Sequence, residues 1–531
     1  INSDNYSRGT NYTYPVVEAV IKPFIIASKI TKEYGANQKH VEFSKYKGKS
    51  VDAVRKSDLG YNEVDEYTSS GAATNVRTTK IMMLYPYHGL TESQTTGVIS
   101  KGKRLNSTSK KFMYSSWYNG ALSFVRLTNV NTKIYRIDKG MPLFETYTMN
   151  SAWDDYENVT KCEDIVKDHG GKIVKHHDIA SGYLNMQSDS GRRYIGCVTS
   201  LIDKVSVDGV SWANYQNSEM QYSSLGELLV DKSIFESTNN YIANIYTYNS
   251  RGMLECVKLK TPFRSQVVAS YTYDDDQRYA SGYTDSMNRK FKYKYDNRYG
   301  KTIYSATSNQ IVNTRYGISG RMVSATVYGA KSQILKTYQS YYLNPDDVSP
   351  HSVPEHTAWV KLNDYGIGYP RSLEFYDYCG NIIRTKKESF HSEKYNVVDY
   401  IYDVNNRVIA SSLPYYDDED GVAYNRYYYD AYGRPARMVG AGGATNSMQY
   451  NGLEFLIRLP NNAVIKKLYN AAGLLVKSTD AQGVDYSIEY SPAGYVTNMH
   501  SSAGKELSCS YNVAGLMVSD YDKNSGITKY E

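Results

Sequence analysis

The stretch YNAAGLLVKSTDAQG, Tyr469 to Gly483, returns as YSPAGYVTNMHSSAG from Tyr490 and as YNVAGLMVSDYDKNSG from Tyr511, so one phrase recurs with a period of 21 residues. Recurrence on that scale marks stacked supersecondary units, each too small to bury its own apolar face. Each period reads as two strands and two turns. Tyr469 closes a strand, NAAG turns the chain, LLVKST runs back and DAQG turns again. Asn470 can bond its own backbone and Gly473 can take a positive φ. The second turn keeps the beat, because Gly483 and Gly504 are again 21 apart. Between the turns, VDYSIEY places Val484, Tyr486, Ile488 and Tyr490 on one face and Asp485, Ser487 and Glu489 on the other. Tyr469, Gly473, Gly483, Tyr490, Gly494, Gly504, Tyr511 and Gly515 are therefore expected to be the structural repeat turns.

Looser copies run upstream: YDAYGRPARMVGAGG from Tyr429, YDVNNRVIASS from Tyr402, YDYCGNIIRTKK from Tyr376, YGISGRMVSAT from Tyr316, YDNRYGKTIYSATS from Tyr295 and YNSRGMLECVKL from Tyr248. The shared phrase is Tyr, Asp or Asn, two or three variable residues, Gly, Arg or an aliphatic, then alternating residues. No sustained 3.6-residue apolar period competes with it, which predicts an all-β chain.

At 531 residues and 41% hydrophobic content, the chain is long enough for several domains or one large repetitive body. Its 56 Tyr against 11 Phe are unusual. A dry core would favour Phe, since each buried Tyr needs a partner for its hydroxyl. Broad, partly wet sheet faces are expected. A net charge of +6 spread over 61 basic and 55 acidic residues is too dilute for a nucleic-acid track. The basic stretches SKYKGKSVDAVRK and SKGKRLNSTSKK read as solvated faces. No apolar run approaches the ~20 residues of a membrane-crossing helix. Cys162, Cys197, Cys256, Cys379 and Cys509 are scattered singly, giving neither a disulfide framework nor a zinc motif. The opening INSDNYSRGT, without Met, reads as a processed product or part of a longer polypeptide.

The repeat phrase resembles the YD-repeats of Rhs proteins, which also occur in the B and C components of Tc insecticidal toxins and in teneurins. YKGKSVDAVRKSDLGYNEV, Tyr46 to Val64, and YPYHGL, Tyr85 to Leu90, are similar to a segment that precedes the repeats in Tc B-type and related Rhs proteins. The expected organisation is an N-terminal pre-repeat β segment over 1–110, a β-rich connecting part over 111–240, and repeats over 241–531 that continue beyond 531. The resemblance implies a long spiralling antiparallel sheet of hairpins forming a hollow cocoon. It also implies that the shell encloses a toxic C-terminal segment of the same polypeptide. Neither the plug region of such proteins, nor its self-cleaving aspartates, nor a separate toxin domain is visible here.

Other candidate chemistry has a plainer reading. His176 and His177 are adjacent, so on a strand they point to opposite faces and cannot readily share a metal; they are expected at the surface or in a loop. His351 and His356, with Glu355, sit in a Pro-bearing loop without a further ligand at motif spacing. The acidic runs Asp274 to Asp276 and Asp417 to Asp420 have calcium-loop composition but not its ligand spacing, so solvated hairpin tips are preferred and no cofactor is assigned. GAGG, Gly440 to Gly443, is a turn rather than a phosphate loop. The Tyr cluster NRYYYDAYG reads as cross-strand packing before glycan stacking.

The resemblance implies a structural encapsulation shell without catalysis of its own, secreted or extracellular, whose partners are its own C-terminal toxin segment or a secretion or injection machinery. The alternative is a cell-surface adhesive or filament-forming repeat protein that binds glycans or copies of itself.

Overall fold

The computed structural model describes residues 6–7, 16–18, 29–33, 39–53, 57–70, 73–100, 102–119, 122–137, 139–187, 191, 193–235, 237–331, 333–348, 351–366, 368–389, 394–403, 405–512 and 514–530. Val54 to Lys56 of the first basic stretch lie outside these residues. The expected class holds: the chain is all-β, built as one long antiparallel sheet that does not close into a barrel. Among the described residues the one helical element is a 3₁₀ turn, Pro345–Val348. Two compact units divide the chain, one of Ile1–Ser218, Tyr428–Met438 and Thr445–Glu531, the other of Glu219–Tyr427 and Val439–Ala444.

The first unit contains two kinds of strand. Those from Lys39–Asp52 to Arg193–Ser206 are long, such as Lys103–Asn119 and Ile173–Gln187. KRLNSTSKKFMYSSWYN carries no Gly, Pro or turn pair to stop it. From Lys39–Asp52 through Arg193–Ser206, each strand pairs antiparallel with the next in sequence. The short strand Tyr6–Ser7 runs parallel to Lys39–Asp52. The second kind, from Thr445–Asn451 to Gly526–Lys529, is the repeat array, with strands of at most 8 residues and the same neighbour pairing. The alternation expected of VDYSIEY is present, since Tyr486, Ile488 and Tyr490 are half-buried while Asp485, Ser487 and Glu489 are exposed. A hairpin of the array packs on a long strand: a Cβ on Gly452 would come within 2.8 Å of the Leu143 side chain.

The second unit is a run of paired strands from Leu228–Phe235 to Tyr395–Tyr402. Its repeat beat is interrupted between Ile334–Leu343 and Trp359–Asp364 by the segment that contains Pro345–Val348. Val348 from this segment joins Val360, Leu373 and Phe375 in a buried cluster, flanked by Leu343, Leu362, Ile383 and Tyr395. The interruption supplies what a lone sheet lacks, an apolar cover for one face.

Candidate functional site

The repeat turn is built on one plan in most copies of the phrase; the copy from Tyr316 has Gly317 in place of the cradle side chain, and the turn at Asp296 is one residue longer, closing at Gly300. At the first of the three quoted turns, the Asn470 amide donates to the Leu474 carbonyl (2.8 Å) and the Gly473 amide donates back to Asn470 (3.0 Å). The Asn470 side-chain oxygen accepts from the amides of Ala472 and Leu474, both at 3.0 Å. Asp377, Asp403, Asp430 and Asn512 repeat this cradle on the amides two and four residues on. Where the phrase reads Asp with Arg four residues later, the Arg closes on the second carboxylate oxygen: Arg407 to Asp403 and Arg434 to Asp430, each at 2.8 Å.

The position three residues after the cradle residue is left-handed. Gly473, Gly494 and Gly515 have φ of 81°, 84° and 74°. In the looser copy from Tyr402 the same place holds Asn406, and Asn288 and Asn462 hold it in turns outside the quoted copies, all with positive φ. Of the second-turn glycines, Gly483 (φ 86°) closes another such cradle on Asp480. Gly504 (φ 115°) instead follows a tight two-residue loop in which it pairs with Ser501. The two share a sequence beat but not a geometry.

The tyrosines complete the device. The strand register slips by one residue at each turn: Tyr469 opposes Leu475 after Leu468 opposes Lys477, and Tyr490 opposes Val496 after Glu489 opposes Asn498. The bulge leaves one residue of the returning strand, such as Val476, unopposed, and the carbonyl of the residue before it takes a side-chain donor. The tyrosine of the following repeat supplies it. Tyr490 donates its hydroxyl to Leu475 O at 2.8 Å and Tyr511 donates to Val496 O at 3.0 Å. In the second unit Tyr273, Tyr316 and Tyr402 latch Leu254, Thr302 and Ile382 in the same manner, each carbonyl lying at a bulge. Even the long-strand region uses it, with Tyr183 on Val159 and Tyr114 on Thr91. Tyr469 follows the bulge-free hairpin Asn451–Glu454, and its amide donates to Leu453 O. Burial holds the Tyr273, Tyr402, Tyr490 and Tyr511 phenols above the ordinary tyrosine range. The excess of Tyr over Phe thus has a positional cause: a ring to pack and a donor for a carbonyl beside the bulge.

The remaining candidates are engaged locally. His176 and His177 lie within the strand Ile173–Gln187 and are half-buried, which corrects their expected place at the surface or in a loop. They do not converge. His176 contacts Glu163 (3.1 Å) and stacks edge-on with Trp212, whereas His177 contacts Asp203 (2.8 Å) and Tyr215. His351 packs edge-on against Tyr395, while His356 is exposed beside Glu355. Asp274 accepts from the amides of Arg278 and Tyr279, and Asp418 pairs with Lys394. Among the described residues no group of three or more His, Cys, Asp or Glu could hold a metal. In the Tyr cluster, ring faces are taken by cations: Arg437 lies over Tyr428 and Arg434 over Tyr432. GAGG forms a turn in which Gly443 donates to Gly440.

Sequence reasoning missed a half-buried polar cluster in the second unit. Arg384 grips Asp399 with two bonds (2.5 and 2.8 Å), and Tyr415 donates to the same carboxylate at 2.7 Å. Nearby, Lys386 is only 2% exposed, and burial lowers its pKa. The one sequence signal was the broken beat before Trp359, which marks an inserted cover without revealing what it covers.

No protein-family model matches the chain, and no curated protein matches it. Solved structures do. TcdB2-TccC3 superposes with a TM-score of 0.74 at 10% identity over 93% of this chain and 36% of that chain. TcdB2-TccC3 without its hypervariable C-terminal region gives 0.73 at 9% identity, over 93% and 38%. The Tc holotoxin pore of Photorhabdus luminescens gives 0.74 at 9% identity, over 93% and 38%. This chain therefore has the fold of these toxin components and spans little more than a third of their length.

Proposed function

We propose that this chain is a wall segment of an Rhs-type encapsulating shell, one that encloses a toxic C-terminal cargo of its own polypeptide and is secreted or injected with it. The observation that carries the reading is the correspondence of nearly the whole chain, pre-repeat strands and repeats together, with TcdB2-TccC3. At such low identity a shared fold is a weak warrant for shared function, so the latched turns matter as independent support. A cocoon wall must hold a very long sheet together without a second layer over each hairpin, and a bond from one repeat to the one before it, as Tyr490, Tyr511, Tyr273, Tyr316 and Tyr402 make, answers that need. In this reading the chain has no catalysis of its own, and chemistry belongs to the cargo.

The test is protease protection of the native-length protein. Any non-repeat segment that follows the repeats should resist protease in the native particle and become cleavable once the shell is unfolded. Digestion of that segment at the same rate in both states would sink the reading. End-to-end association of copies, or glycan binding by the intact protein, would favour the adhesive alternative.

A further inference from the structure

Lys386 sits at the centre of the second unit's polar cluster, on the strand Ile382–Glu388, with 2% of its surface exposed. Among the described residues its Nζ has two polar neighbours, the Ser352 hydroxyl at 3.2 Å and the Asp417 carboxylate at 3.8 Å. The contact with Asp417 is too long for a direct hydrogen bond. A buried ammonium held so loosely is a poor ion pair, because desolvation outweighs what a distant partner returns. Asp417, in contrast, is fixed: its backbone amide donates to Tyr395 O, and its Oδ1 accepts from the Tyr395 amide, both at 3.1 Å. The two side chains are thus pre-positioned for each other without being satisfied by each other.

We propose that Lys386 and Asp417 form an intramolecular isopeptide bond after the chain folds. The neutral amine attacks Cγ of the protonated carboxyl, the Nζ–Cγ bond forms and one Cγ–O bond breaks. The departing oxygen leaves as water with one proton from the amine and one from the carboxyl, so nothing is oxidised or reduced. Burial favours the neutral amine that the attack requires. His351, packed edge-on against the Tyr395 ring, adds to the apolar surroundings of the site. Arg384 and Asp399, the other charged groups acting on Lys386, are occupied with each other.

The place suits a covalent tie. The strand Tyr395–Tyr402 divides its pairing there, with Asn396 and Val397 on Tyr415–Tyr416 and Tyr400 to Tyr402 on Val408–Ser412. Lys386 opposes Val397, and Val397 opposes Tyr415, so an amide from Lys386 to Asp417 would span the row in which the ladder splits.

Intact mass spectrometry of the full chain decides the matter. The expected protein is lighter than its sequence by one water, and its tryptic map contains residues 385–387 joined to 408–426. Asp417→Ala should restore the full mass, less the side-chain change, whether or not that variant is as stable. A native protein at full sequence mass, or a water deficit that persists in Asp417→Ala, would overturn the proposal.

Discussion

Replacing Tyr490 by Phe removes one oxygen from the repeat array and nothing else. The ring, its packing and its apolar burial remain, so the change isolates the hydroxyl that donates to Leu475 O at 2.8 Å. Losing an ordinary neutral hydrogen bond costs about 1 kcal/mol, and stranding a fully buried acceptor costs about 3. Leu475 is half-buried, so water can reach its carbonyl in part and the lower figure applies. Global unfolding is the wrong assay, because a repeat array opens piecewise rather than in one step. Hydrogen exchange on the strands Leu475–Thr479 and Asp485–Tyr490 reads the local opening directly. A loss of about 1 kcal/mol corresponds to roughly fivefold faster exchange there, with strands two hairpins away unchanged. Tyr495→Phe is the control, since Tyr495 stacks on Tyr511 (ring centroids 4.9 Å) and its hydroxyl latches no carbonyl among the described residues. Equal acceleration in both variants, or none in Tyr490→Phe, would refute the latch.

Other predictions concern the turn, pH and the polar cluster. Gly473→Ala should cost about 1 to 2 kcal/mol for a left-handed Cβ, and Gly473→Asn less, because Asn406 and Asn462 already hold that conformation; local hydrogen exchange ranks them. Gly515→Ala should cost more than Gly473→Ala, since its Cβ would also run into the Tyr495 hydroxyl whereas Gly473 faces open space. The latch phenols have folded pKa values raised by burial above an unfolded value of about 10. Above that pH the unfolded chain sheds protons that the folded chain keeps, so the stabilisation, complete below pH ~10, falls as pH climbs toward the folded values. Thermal midpoints across alkaline pH, followed by tyrosinate absorbance, should decline less steeply when several latch tyrosines are Phe. Asp399→Ala leaves Arg384 half-buried without its carboxylate and should destabilise the strands Ile382–Glu388 and Tyr395–Tyr402 by about 3 kcal/mol; hydrogen exchange on those strands as slow as in the parent would contradict this.

The fold was legible because its signal is periodic and local. A Tyr, an Asn or Asp and a Gly at fixed spacing, with alternating residues between, specify a hairpin before any tertiary contact is known, and many copies specify a sheet. The turn glycines were legible for the same reason. The hydroxyl acceptors were not, because each depends on a register slip that no residue type announces: Leu475 in LLVKST gives no hint that its carbonyl will take a side-chain donor. His176 and His177 were misplaced because strand length in the non-repeat region is set by the lack of stop signals, which a search for motifs passes over. The Lys386 cluster was hidden for a different reason, since burial of a lysine depends on a segment outside the repeat pattern, whose Ser352 hydroxyl meets its Nζ.

The latch joins a side chain to a main-chain carbonyl rather than to another side chain. Because every residue type presents the same carbonyl, the acceptor position is under no chemical constraint, as Leu475, Val496, Thr302 and Ile382 show. A substitution in one repeat therefore demands no compensating substitution in its neighbour. Repeats can drift independently, lengthen their turns or exchange places in the gene while the sheet stays intact. Two chains can then share this architecture while agreeing at few positions beyond the tyrosines and the turns, and searches that rely on matched residues will miss relationships that the backbone still records.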